Sequence, residues 1–308
     1  MEENEAVLGL LRDRLKQGSA PGNRSDDARL ALLIEGGSSR GVYSSGMTVA
    51  IEQMGLLPLF DAVYGSSAGA LNGAWLLCGR AGSTIHAWWT PEIMRGTIDV
   101  RRALRGQPVV DTRFLVQTVY TTLMPMDFDE ILASPVEFHP LATDALTGRS
   151  VDLRPAVKNR AALQSALRAS TAMPLLAGEP VDVGGRLYVD AGVSEAVPVR
   201  TAIEDGATHL VALRTRRTDE TTREPGRAER LVLSRWFARK APGAAAPWRD
   251  RVARRAEEER LLATHPATLQ IRPPVGSTRI GRTERRPGPM RAAVDTGIAA
   301  GLEAFGAL

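Results

Sequence analysis

Three short stretches of this 308-residue chain carry residue types that could do chemistry together. Gly65-Ser66-Ser67-Ala68-Gly69 spells G-x-S-x-G, a serine between small residues where an apolar run gives way to a helical pattern. On a sharp strand-to-helix turn such a serine is pressed into a strained backbone, its hydroxyl exposed as a nucleophile. The helix that follows would aim free amides and its positive dipole end at it. The same residues also suit a plain tight corner. Gly36-Gly37-Ser38-Ser39-Arg40-Gly41 lies at a second strand-to-helix junction. Successive amides there could hold a tetrahedral oxyanion, each donor supplying about 3–4 kcal/mol at the transition state. They could equally cradle a phosphate. The stretch lacks the G-K-[ST] of a P-loop and does not spell G-x-G-x-x-G, which argues against a nucleotide. Asp190-Ala191-Gly192 follows a third apolar run. Its carboxylate could take a proton from a hydroxyl, or merely cap its own turn.

These pieces need a scaffold that brings strand ends together. "LALLIEGG" is a continuous apolar run, suited to a strand covered on both faces. "RGVYSSGMTVAIEQMG" has helical spacing and stops at Gly55; "AVYG" and "AGALNGAWLLCG" repeat the strand–helix order. That alternation predicts an α/β fold with a parallel sheet between helices. Residues 85–130 read as largely helical, broken at Pro91, Pro108 and Pro125. "VEFHPLATDALTG", "GRLYVDAG", "ATHLVALRT" and "ATLQIRPP" read as further strands, and "NRAALQSALRASTAMPLL" as a helix ending at Pro174. The chain divides into a helix and polar linker (1–28), a catalytic domain (29–213), an Arg-rich insertion or lid (214–262) and a closing strand and helix (263–308).

Composition sets outer bounds. The apolar share is 44%, enough for a sizeable core. Cys78 is the single cysteine, so an internal disulfide and a cysteine metal cluster are excluded, and no metal or cofactor constellation is evident. The opening residues lack a basic, apolar leader pattern, and no run approaches the roughly 20 apolar residues of a membrane span, so a cytoplasmic protein is expected. The formal charge is +4, yet 14 Arg/Lys against 8 Asp/Glu fall between Arg214 and Arg260. These charges are interleaved and accompany no nucleic-acid motif, so no nucleic-acid partner is expected. "RLVLSRWFARKAP" (230–242) mixes apolar and basic residues, as a helix at an anionic membrane interface would, or a surface helix docked on the core.

A glycine-rich loop, G-x-S-x-G and D-x-G, in this order and each at a predicted strand end, resemble the patatin-like phospholipase family. The resemblance runs from about Leu30 to Leu213. It takes in "ATDALTGR", "ALRASTAMPLL" and "YVDAGVSEAVPVRTAIEDGATHLVAL". It implies a three-layer α/β/α sandwich with a central, mostly parallel sheet. It also implies hydrolysis of lipid acyl esters by a Ser–Asp dyad without a cofactor. Ser67 would be the nucleophile and Asp190 its base. Gly37, Ser38 and Ser39 would form the oxyanion hole with Arg40 in support, and Gly36, Gly41, Gly65, Gly69 and Gly192 would shape the loops. The chain departs from the family where Ser38 replaces a third glycine, Ala191 a middle glycine, and Ala196 an asparagine.

Other readings share the residues. Ser67 and Asp190 with His209 or His265 would copy the α/β-hydrolase order of a triad. His209 lies within an apparent strand, however, and a triad leaves the glycine-rich loop unexplained. An acyltransferase or thioesterase would use the same acyl-enzyme with a different acceptor. A catalytically weak lipid-binding regulator would keep the fold with the altered motifs.

Overall fold

The computed structural model describes residues 2–220 and 226–308. Residues 221–225, within the segment 214–262, lie outside the described residues. The strands are β1 (Leu30–Ile34), β2 (Ala62–Ser66), β3 (Glu137–Asp144), β4 (Ser150–Asp152), β5 (Val181–Val183), β6 (Arg186–Val189), β7 (His209–Leu213) and β8 (Thr268–Ile271). They form one sheet in the order β5-β6-β3-β2-β1-β7-β8, with β4 also on β3. Neighbours from β3 to β8 run parallel, while β4 and the β5–β6 hairpin join antiparallel. The hairpin turns at Gly184-Gly185, both with left-handed φ (63° and 82°), a geometry that glycine adopts without strain.

The unbroken apolar runs of the central strands follow from cover on both faces. Leu30, Leu32 and Ile34 of β1 face one core, while Ala31 and Leu33 face the other. The first core is closed by the helices Gly41–Gln53, Ala68–Leu77, Arg160–Ser170 and Pro287–Phe305. The second is closed by Val199–Glu204 and by Leu262 on the helix Arg251–Thr264. The result is the three-layer α/β/α sandwich with a mostly parallel sheet.

One segment differs from a reading of charge and composition. Much of the described part of 214–262 is helical, and Arg251–Thr264 is one of the sandwich's own covering layers. Its sparse apolar residues concealed this, because Leu262 and Leu261 alone meet the sheet's apolar core while the charged stems spread outward. Helix Arg227–Lys240 buries Leu233 and Phe237 and leaves Leu231 and Val232 about half exposed. Residues 85–130 are largely helical, as expected: helical turns at Ile85–Trp88 and Val100–Arg105, a helix that begins at Pro91 (Pro91–Thr97), a π-helix at Phe114–Leu123 and the start of the helix Phe128–Ala133, with breaks around Pro108 and Pro125.

Two clamps hold the margins. The buried guanidinium of Arg14 binds Asp26, Asp61 and the carbonyls of Leu59 and Ala28, tying the N-terminal helix Glu2–Gln17 to the strand ends. Helix Pro287–Phe305 crosses Gly41–Gln53 at backbone distance. A Cβ on Gly46 would fall 2.3 Å from the Val294 carbonyl oxygen, and one on Gly297 2.2 Å from that of Tyr43. Gly297→Ala is therefore expected to cost about 1–3 kcal/mol through overpacking. An unchanged urea midpoint would show that the two helices can part freely.

Candidate active site

The three motif loops converge. Ser67 directly follows β2 and precedes helix Ala68–Leu77, with φ 55° and ψ −123°, a conformation that is strained for any side chain. The flanking glycines let the corner close. A Cβ on Gly65 would lie 2.4 Å from Ala70 Cα, and one on Gly69 2.1 Å from the Ile34 carbonyl oxygen at the end of β1. Gly41 likewise abuts Ala68, where a Cβ would come within 2.6 Å. The Ser67 amide donates to Ser170 Oγ at 3.0 Å, so the elbow is also held by helix Arg160–Ser170.

Asp190 arrives from the antiparallel side, at the end of β6. Ser67 Oγ donates to Asp190 Oδ2 at 2.6 Å across a separation of 123 residues. The other oxygen, Oδ1, accepts from the Gly192 amide at 2.8 Å. The turn cap and the serine partner, alternatives in the sequence, are thus both present, one on each oxygen. A Cβ on Gly192 would sit 3.0 Å from Oδ1, which explains a glycine there. Thr143 Oγ1 donates to the Asp190 carbonyl at 2.8 Å and fixes the loop to β3. Burial pushes the Asp190 carboxyl up to about 6, against the hydrogen bonds from Ser67 and Gly192 and the charges of Arg282 and Arg255.

The loop after β1 lies over the same cavity. Gly36 donates to the Ala196 carbonyl at 2.9 Å, and a Cβ on it would meet the Ser66 carbonyl oxygen at 2.7 Å. Ser38 has φ 54°, so the family's third glycine is replaced at a position of left-handed backbone. Its hydroxyl supplies a compensating hydrogen bond of 2.6 Å to the Arg282 carbonyl. Ser39 is different from its expected role. Its amide and hydroxyl both point to that same carbonyl, at 3.4 and 3.0 Å. The Arg40 amide closes onto the Gly37 carbonyl at 3.1 Å. Among the described residues, the amides of Gly37 and Ser38 have no protein acceptor, and both residues line the cavity with Ser67 and Asp190.

Several supporting residues carried no motif. Glu35 is fully buried beneath the loop and accepts from Arg214 Nε (3.0 Å), the Thr215 amide (2.8 Å) and Arg255 (3.2 Å). Burial pushes its carboxyl up, but the charges of Arg214 and Arg255 outweigh this and hold it at about 2. Glu258, on the Arg-rich helix, accepts from the amides of Ala196 and Val197 at 2.8 and 3.3 Å, and so braces the carbonyl that receives Gly36. Glu35 could have been noticed as an acid interrupting an apolar run before a glycine pair; Glu258 sits in a charge-rich helix and gave no signal.

The histidines lie elsewhere. None lines the cavity among the described residues. His209 opens β7 opposite Leu30, at the far end of the strands, and pairs with Thr208 at 3.0 Å. His265 contacts Ala267 and Thr268 close by. His86 lies in the turn Ile85–Trp88. His139 stacks on Tyr64 and is 2.9 Å from Asp152, with Asp205 beside them, a possible ligand set away from the three loops. Neither His209 nor His265 supports a triad. No described helix is long and apolar enough to cross a membrane.

Residues 32–203, more than half the chain and spanning all three loops, match the model of the patatin-like phospholipase family. The chain belongs to the patatin-like phospholipase family. It is 30% identical over 192 residues to the uncharacterized protein YjjU of Escherichia coli K12, covering 61% of this chain and 52% of that protein. It is 31% identical over 106 residues to the cUMP-AMP-activated phospholipase of Escherichia coli, covering 32% of this chain and 33% of that one. The chain thus spans about half of the first relative and a third of the second. Among solved structures it resembles VipD of Legionella pneumophila at 12% identity, with a TM-score of 0.46, over 94% of this chain and 69% of that one. Glu35 is a fully buried support of the loop after β1. Glu35→Ala would leave the buried Thr215 amide without its acceptor and take from Arg214 one of its two carboxylates, Glu259 remaining, and is expected to cost about 1–3 kcal/mol, read as a lowered urea midpoint.

Proposed function

We propose that this patatin-like protein is a lipid acyl hydrolase working through a Ser67–Asp190 dyad. The observation that carries the reading is the 2.6 Å hydrogen bond from Ser67 Oγ to Asp190 Oδ2 beside two uncommitted amides. Ser67 Oγ attacks the ester carbonyl while Asp190 Oδ2 accepts its proton. The amides of Gly37 and Ser38 receive the oxyanion. Asp190 then returns the proton to the departing alcohol or lysolipid. Water, deprotonated by Asp190 in turn, releases the fatty acid from Ser67. The name of the second E. coli relative, a phospholipase, supports lipid esters as the substrate class. Transfer of the acyl group to an alcohol or thiol remains a second outcome of the same acyl-enzyme. Leu231 and Val232, exposed on helix Arg227–Lys240 amid arginines, favour peripheral contact of 214–262 with an anionic membrane.

The test is hydrolysis of a panel of chromogenic esters and lipids. Ser67→Ala and Asp190→Asn are each expected to lower turnover by at least about 10³-fold with unchanged circular dichroism, and Ser67→Ala to abolish fluorophosphonate labelling. Wild-type turnover in either variant would remove the dyad. Because the base must be ionised and its carboxyl sits near 6, kcat/KM is expected to fall about tenfold per pH unit below about pH 6 and to level off above it. A profile flat down to pH 4 would exclude Asp190 as the base.

A further inference from the structure

The cavity in front of Ser67 measures about 300 Å³ and is lined by far more positive charge than ester hydrolysis calls for. Arg40, Arg216, Arg251, Arg255 and Arg282 all line it, against the carboxyls of Asp190 and Glu229. Some of that charge is already engaged. Arg251 sits over the Trp248 ring and donates to the Trp248 carbonyl, and Arg216 has neighbours of its own.

Three arginines keep capacity toward the cavity. Arg40 is largely buried, yet its guanidinium makes no hydrogen bond or ion pair among the described residues, and its Nε is a buried donor with no acceptor. A guanidinium removed from water without a partner is costly unless a ligand anion completes it. Arg282 is exposed and has no side-chain partner among the described residues, while its carbonyl holds Ser38 and Ser39. Arg255 uses one nitrogen on Glu35 at 3.2 Å and retains further donors. These groups are close enough to act on one another and on the dyad: Arg255 and Arg282 both disfavour the charge on Arg40 and both favour the charged form of Asp190. Guanidinium groups lining one cleft can match the oxygens of a phosphate.

The rest of the wall indicates what the phosphate is attached to. Met173, Leu175, Leu176, Val193, Leu233 and Trp248 give it an apolar side. The volume also exceeds what a free phosphate ion fills. We infer that Arg40, Arg255 and Arg282 form a phosphate subsite that takes the anionic headgroup of a glycerophospholipid while its acyl ester lies against Ser67. The placement of the ester rests on the esterase reading; the phosphate subsite does not. Anionic lipids are then favoured over zwitterionic ones, because a choline or ethanolamine cation would have to sit among guanidinium groups.

The test uses monomeric dihexanoyl lipids, which remove any surface effect, and the full chain. Ser67→Ala protein is titrated calorimetrically with dihexanoyl phosphatidylglycerol, dihexanoyl phosphatidylcholine and inorganic phosphate. The phosphatidylglycerol is expected to bind on the order of tenfold more tightly than the phosphatidylcholine, an advantage that shrinks with added salt. Arg282→Gln on the same background is expected to erase most of that ratio, and Arg255→Gln gives an independent reading should the first variant fold poorly. Equal binding of the two lipids overturns the subsite. Inorganic phosphate binding as tightly as the lipid overturns the headgroup assignment in favour of a free-phosphate site. Turnover by the wild type separates the two claims. Ser67-dependent hydrolysis without anionic preference sinks the subsite and leaves the esterase. Preferential binding with no ester cleaved sinks the esterase and leaves the subsite.

Discussion

The site depends on one close contact, that of Gly69 with the carbonyl oxygen of Ile34. Helix Ala68–Leu77 is thereby set directly against the end of β1, closer than any side chain would allow. Its consequences run in both directions along the sheet. The turn into that helix must be abrupt, which forces Ser67 to left-handed φ and lifts its hydroxyl off the strand. The chain leaving β1 must pass over the same spot, which brings Gly36 onto the Ser66 carbonyl and the loop amides beside the hydroxyl. Parallel neighbours in register, Ile34 with Gly65, make the two strand ends coincide. An antiparallel arrangement of β1 and β2 would put the glycine-rich loop at the opposite edge.

Electrostatics then divides two buried carboxyls by their neighbours. Glu35 and Asp190 are both shielded from water. Arg214 and Arg255 keep Glu35 ionised, and it works as a fixed anchor for the backbone at Thr215. Asp190 has hydrogen bonds but no direct guanidinium contact, so burial prevails and its proton affinity rises into a range useful for proton transfer. Similar burial thus produces a structural ion in one place and, in the other, a carboxyl whose raised proton affinity suits the base proposed for the dyad. Arg40 extends the contrast: its guanidinium has no hydrogen-bond partner among the described residues, while Glu35 already accepts from Arg214, Arg255 and Thr215.

Much of this was readable in the residues. The continuous apolar runs announced strands covered on both faces, and small residues at the junctions announced close approach. What stayed hidden was long-range or charge-borne. Ser39 looked as available as Gly37, because nothing local shows that a carbonyl 243 residues away claims its amide. The helix Arg251–Thr264 read as part of an insertion or lid rather than as a covering layer, since a helix that contributes little more than Leu262 to the sheet has almost no apolar periodicity. Glu258 was invisible for the same reason: an acid buried for its backbone partners is indistinguishable, as a letter, from the solvated acids beside it. The short antiparallel strands β4 and β5 are set by pairing with β3 and β6, which a three-residue stretch cannot announce.

The β5–β6 hairpin stands at the edge of the sheet. The serine grows from the inner parallel strands, whereas the carboxylate is delivered by a ribbon whose outer member, β5, is the free margin of the sheet. Margins open more readily than centres, and here opening would withdraw the aspartate while leaving the serine in place. Catalytic competence and global folding are consequently separable quantities in this architecture. If Ser67 and Asp190 act as the proposed dyad, mild warming would be expected to withdraw activity reversibly before the interior melts.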